Sequence, residues 1–202
     1  CAGFDLDALP GEPSPDDLPY APDTPLIIAS TALRRAHATF VALLHGPVYG
    51  AGVELACCCD IRLASDDTRF VIPAARLGVV YHPDGLSLLK HCLGLALTQR
   101  LLLLGETVTA EQALHAGYLL AVHPADKLTA AGHEVAERLR AGAPLSLRAH
   151  RDHLRVMASG QAPTAAELTA YQRARQEAYL SDDHREGRAA ARERRPPRFS
   201  GR

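Results

Sequence analysis

Hydrophobic and polar positions fall in short blocks along the 202 residues, and the blocks predict brief strands alternating with helices. From Leu26 to about His37, the spacing of Ile27, Ile28 and Leu33, with Arg34 and Arg35, fits a helix. Phe40 to Leu44 is a short apolar run stopped by His45-Gly46-Pro47, the pattern of a buried strand. A second helix opens near Gly50 and carries Glu54, Leu55 and Ala56. Asp60 to Ala64 and Arg69 to Ile72 read as two more strands. Leu86 to Leu93, Ala96 to Leu104 and Ala110 to Ala116 read as helices, the last stopped by Gly117, and Tyr118 to Val122 as a final strand. From about Ala125 the chain turns helical, with one long amphipathic stretch from Thr164 to Leu180. The pattern predicts an α/β core over residues 1–125 and a helical region over 126–202. No internal repeat is visible.

Two stretches stand outside this pattern. Residues 1–7 read as a turn-like opening. Residues 8–26 hold six prolines together with Asp16, Asp17 and Asp23, so they form a loop, either a surface linker or a lid over a site.

Composition narrows the possibilities. The chain is 47% hydrophobic and 22% charged with a net charge of -1, which excludes wholesale disorder and any global basic field for nucleic acid. No window reaches the roughly 18 to 20 apolar residues of a membrane span, so no membrane partner is expected. Five cysteines, three of them adjacent and none in a CxxC pair, suit a reduced, cytoplasmic compartment. The opening Cys-Ala-Gly-Phe-Asp, without Met or signal sequence, reads as that of a fragment.

Two segments offer backbone N–H groups at the ends of expected strands: Cys1 to Leu6, and His45 to Ala56 with Gly50-Ala51-Gly52. Small residues there let the chain turn tightly into a helix whose first N–H groups are unpaired. Alone, such a turn is common.

Taken together and in order, these segments resemble the crotonase (enoyl-CoA hydratase/isomerase) superfamily. Ala2-Gly3-Phe4-Asp5-Leu6 is similar to the family's AGxDL segment, and Gly46 to Asp60 to its second glycine-rich segment, closing on Cys59-Asp60. Phe70-Val71-Ile72-Pro73 with Leu77-Gly78-Val79, then Thr109 to Ala113 with Ala116-Gly117, match later signatures. The tail from Ser181 to Gly187 and from Glu193 to Phe199 resembles the family's closing motif. The resemblance implies a ββα spiral core, a C-terminal helical trimerisation region, and a homotrimer or hexamer whose interface the 164–180 helix would suit. It also implies that the family's opening strands would precede Cys1, whose absence would leave sheet edges open.

The site implied is one for an acyl-CoA thioester, with coenzyme A part of the substrate and no further cofactor or metal. The backbone N–H groups of Phe4 and Ala51 would form an oxyanion hole, with Ala2, Asp5, Leu6 and Gly50 in the substrate-binding segments. Losing one such donor typically costs about 10²–10³-fold in rate. Glu54 matches one of the two catalytic glutamates of the hydratases; read without the family, it is a dipole partner in a first helical turn.

The second glutamate is expected directly after Pro73, and that position is Ala74. Hydration by two glutamates is therefore incomplete. The following loop, Gly78 to Gly85, resembles that of the methylmalonyl-CoA decarboxylases, in which the residue matching Tyr81 helps hold a substrate carboxylate. The proline-bearing loop through Pro19-Tyr20 fits that branch too, whereas Phe4 stands where the branch has His. His82 and Asp84 are either the acid or base that Ala74 cannot supply, or a loop histidine and a turn residue before Gly85. The function implied is enolate-forming chemistry of hydratase/isomerase or decarboxylase type; the alternative is a non-catalytic CoA-binding or scaffolding relative.

Other features fit plainer roles. Cys57, Cys58 and Cys59 suit buried small hydrophobes, and His150 with His153 a solvated helical face. The arginine-rich end, interleaved with acids, suits contacts between subunits better than nucleic acid.

Overall fold

The computed structural model describes residues 1–8, 23–158 and 162–202. The expected lid or linker, including Pro19 and Tyr20, falls mostly outside the described residues. The chain divides into two compact units, one of residues 1–36 and 40–128, the other of residues 37–39 and 129–202.

The first unit begins with α1 (Thr24–Arg35), where Pro25 occupies the first turn and needs no N–H partner. Then come β1 (Val41–Leu44), β2 (Pro47–Tyr49), α2 (Ala51–Cys57), β3 (Ile61–Ser65) and β4 (Arg69–Val71). After these follow α3 (Ala74–Leu77), α4 (Pro83–Leu103), β5 (Thr107–Thr109), α5 (Ala110–His115) and β6 (Ala121–His123). The strands β1 to β4 go to the two sheets in alternation, β5 joins β4, and β6 returns to the first sheet. One sheet has the order β1-β3-β6, all parallel, and the other β2-β4-β5, with β5 antiparallel to β4. Two strands and then a helix make the first two turns, β1-β2-α2 and β3-β4-α3, in the ββα spiral expected, whereas β5 and β6 flank α5.

The second sheet aligns Val48, Phe70 and Val108 in one register row, and all three are buried. Burial of each such side chain contributes about 2 kcal/mol. Tyr118 closes this core edge-on against Phe70, with ring centroids 5.4 Å apart. The Arg62 guanidinium lies 5.1 Å from the Tyr118 ring centroid, and its Nε donates to the Tyr118 carbonyl at 2.8 Å.

Three short elements depart from the expected pattern. β2 and β5, three residues each, were hidden inside polar or proline-bearing stretches. α3 is a single turn after Pro73, ended by Gly78 at φ 68°. The last strand starts at Ala121 because Tyr118 and Leu119 turn into the core instead of pairing. The helices expected on either side of Gly94 are two halves of α4, broken where Gly94 adopts φ 73°, ψ 160°.

The second unit is helical: α6 (Leu128–Arg140), α7 (Pro144–Met157), α8 (Ala165–Leu180) and α9 (Asp182–Glu193). Thr164 and Glu167 cap α8 reciprocally. The ring of His153 stacks on Tyr171 at 3.9 Å, so α7 and α8 pack together, yet no residue of α8 is fully buried. The last residues are tied to α9: Asp183, itself buried, accepts the N–H groups of Ser200 at 2.6 Å and Gly201 at 2.9 Å. Among the described residues no helix is long and apolar enough to cross a membrane.

Candidate active site

The site grows out of the turn between β2 and α2. Gly50 takes φ 46°, ψ -109°, a conformation that side-chain-bearing residues avoid, and its N–H donates to the Val71 carbonyl at 2.8 Å. The opening segment runs beside this turn, because Tyr49 N–H donates to the Cys1 carbonyl at 2.9 Å. Gly3, at φ 90°, approaches so closely that a Cβ there would lie 3.0 Å from the Tyr49 oxygen. Phe4 is thereby brought to the start of α2. Neither Phe4 N–H nor Ala51 N–H has a backbone acceptor among the described residues.

Both residues line a cavity of about 160 Å³. Ala2, Leu6, Gly50, Glu54 and Tyr81 line it as well, so most of the expected site residues converge. Three are absent from the cavity wall, and of these His82 reaches it only through its contact with Glu54. Asp5 is exposed and uses its carboxylate to accept Asp7 N–H at 3.1 Å. Asp84 is exposed in the first turn of α4 and is absent from the cavity wall. Ala74, the position where a second glutamate was expected, is buried in the wall at the start of α3.

Glu54 lies in the first turn of α2 and is 0% exposed. Its Oε1 is 3.1 Å from His82 Nε2, and its Oε2 has no hydrogen-bond partner among the described residues. Burial raises the Glu54 carboxyl above the usual carboxylate range, and the His82 contact offsets only part of this. His82 caps α4, its Nδ1 accepting Gly85 N–H at 3.1 Å. The Tyr81 hydroxyl would lie 3.5 Å from a Cβ built on Gly50. Burial first, and then the Glu54 charge, raise the Tyr81 phenol above its ordinary value.

Sequence reasoning passed over Asp23. It stands at the N-cap of α1, lines the cavity, and places Oδ2 3.9 Å from His82 Nε2. Among prolines and other acids it carried no local signal, since its partner is far along the chain. Gly85 was noted only as a turn glycine, although it packs between His82 and Glu54.

All five cysteines are free; Cys57 and Cys58 are buried, and burial pushes the Cys58 thiol up to about 12. Among the described residues no three His, Cys, Asp or Glu side chains are placed to hold a metal ion. A larger cavity, about 740 Å³, lies within the helical unit and contains none of the expected site residues.

A family model described as "Enoyl-CoA hydratase/isomerase" matches residues 1–202. The 2,3-dehydroadipyl-CoA hydratase of Escherichia coli is 32% identical over 162 residues, 80% of this chain and 63% of that protein. The methylmalonyl-CoA decarboxylase of the same organism is 28% identical over 200 residues, 99% of this chain and 76% of that protein. Among solved structures, an enoyl-CoA hydratase/carnithine racemase from Magnetospirillum magneticum superposes with a TM-score of 0.86 at 29% identity. That match covers 99% of this chain and 73% of the other. The chain thus spans between about three fifths and four fifths of the length of these relatives.

Proposed function

This chain belongs to the enoyl-CoA hydratase/isomerase family, the crotonase superfamily, and on that premise we propose that it forms a thioester enolate from a short acyl-CoA and returns a proton to the α-carbon. The backbone N–H groups of Phe4 and Ala51 hold the thioester oxygen as it gains charge. Two preplaced donors stabilise that charge without reorganising. Glu54 is the proton donor. Tyr81, whose hydroxyl lies beside Gly50, orients the group that leaves.

One observation carries the choice of chemistry. The cavity holds a buried carboxyl raised towards its protonated form, and the position where a partner glutamate was expected is Ala74. A carboxyl raised in this way, with no glutamate at position 74, suits decarboxylation of a malonyl-type thioester. The bond to the carboxylate breaks, its electron pair becomes the enolate, Glu54 protonates the α-carbon, and solvent restores the Glu54 proton. No base is needed.

Asp23 favours a second reading, because it brings a second carboxyl to the same cavity. Glu54 and Asp23 together would support hydratase/isomerase-type chemistry without a glutamate at position 74. Asp84 has no part in either.

A panel of CoA thioesters, read by mass spectrometry for CO₂ loss, water gain or isomerisation, tests these readings. CO₂ loss from a malonyl-type thioester, reduced about tenfold or more by Tyr81→Phe with binding retained, is the expected result. Brisk hydration of crotonyl-CoA, lost in Asp23→Asn, would establish the second reading instead. Calorimetric binding without turnover across the panel would make the chain a CoA-binding relative.

The exposed Leu168, Tyr179 and Leu180 on α8 support assembly into a trimer or hexamer, which light scattering checks. The five free thiols support a reducing, cytoplasmic setting.

A further inference from the structure

We propose that His82 is a positioning residue, held as the neutral Nε2–H tautomer, which fixes the acidic proton of Glu54 on Oε2. The inference rests on Glu54 being the proton donor of the reaction.

The hydrogen bonds assign the tautomer. His82 Nδ1 accepts the Gly85 N–H at 3.1 Å, so that nitrogen carries no proton. A neutral imidazole then carries its proton on Nε2, where Glu54 Oε1 waits as acceptor at 3.1 Å. Asp23 Oδ2, at 3.9 Å, is the other acid facing the same nitrogen. With Oε1 occupied as an acceptor, the proton of the neutral carboxyl resides on Oε2. That oxygen is buried and has no hydrogen-bond partner among the described residues, so its proton is the one the protein does not hold.

His82 is thereby excluded as the acid or base. It can neither pass on its Nε2 proton without becoming an imidazolate nor take a second proton without giving up the Gly85 N–H. It also donates to the ionised form of Glu54, so its removal should raise the carboxyl further. The other groups acting on Glu54 are Asp23 and Arg34, from the start and end of α1, while Tyr81 and Cys58 feel its charge in return. None of these supplies a donor to Oε1 in the structure.

The decisive comparison is His82→Gln against His82→Ala, with Glu54→Gln as reference, each in the full chain and each read as a pH–rate profile on the best substrate of the panel. A glutamine amide can donate to Oε1 but cannot titrate. His82→Gln should stay within about threefold of the parent with its pH limb unmoved. His82→Ala should lose about 10–100-fold, with the Glu54 limb displaced to higher pH. Equal loss in both variants, without a displaced limb, would overturn the proposal and return His82 to acid–base chemistry. Full activity in Glu54→Gln would instead overturn the assignment of Glu54, a separate failure. A measurement on the parent protein needs no variant to fold. Nitrogen-15 spectra of the histidine rings near neutral pH should show His82 as the Nε2–H tautomer, whereas an Nδ1–H tautomer or an imidazolium would overturn the proposal.

Discussion

Gly85 leaves no room beside Glu54: a Cβ on Gly85 would fall 2.9 Å from Glu54 Oε2 and 2.8 Å from His82 Nε2. In an ordinary helix, alanine in place of glycine is favourable by about 1 kcal/mol. In Gly85→Ala that gain is opposed by two displaced side chains. The variant should fold with a melting temperature near that of the parent, yet lose about 10–100-fold in kcat. Parallel melting curves and steady-state rates check this, and unchanged kcat would show that the pair tolerates displacement.

Glu54 also ties stability to pH. Its folded-state carboxyl is raised above the ordinary value by burial, so between the unfolded and folded values the native state binds more protons than the unfolded one. Stability contributed by this group is therefore present at low pH and falls as pH rises through that window. Glu54→Gln removes the charge but not the shape. It should raise the melting temperature at about pH 8, with the gain shrinking towards about pH 4. Differential scanning calorimetry across that range measures it, and a gain that grows on acidification would be the wrong sign.

Gly52 packs against the opening segment. A Cβ there would meet Cys1 Sγ at 2.9 Å and Val48 Cγ1 at 3.2 Å, pushing on the segment that delivers Phe4. Gly52→Ala should cost about 1–3 kcal/mol, the usual range for overpacking. It should also lower kcat more than it raises KM, because the lost donor acts on developing charge. Denaturant melts and kinetic constants together separate the two effects.

Asp183 holds the chain end. It accepts from Ser200 and Gly201 backbone groups while 97% shielded from solvent, since its exposure is 3%. Asp183→Ala leaves two partly buried donors unpaired, and should cost about 1–3 kcal/mol. Hydrogen exchange at Ser200 and Gly201 should accelerate.

Much of this arrangement was legible in the residues themselves. Short apolar or alternating runs marked β1, β3 and β4, and apolar spacing marked α1, α2, α4 and α5, with the region from about residue 125 read as helical as a whole. β2 and β5 were not legible: three residues are too few to show alternation, and each exists through its pairing with β4. The site divides in the same way. Phe4, Ala51, Glu54 and Tyr81 sit in contiguous motifs. Asp23 and Gly85 matter through partners distant in sequence, and no local pattern encodes a contact between α1 and the cap of α4. Asp84 shows the converse, a motif-like neighbour that the helix turns outward.

Alanine and glutamate differ by one base in some of their codons, so position 74 lies a single mutation from carrying a carboxyl. The Ala74 methyl already forms part of the cavity wall. A glutamate there would gain an acid by taking volume from the cavity. On the proposed reading, reaction type and the length of acyl chain admitted are coupled at this wall.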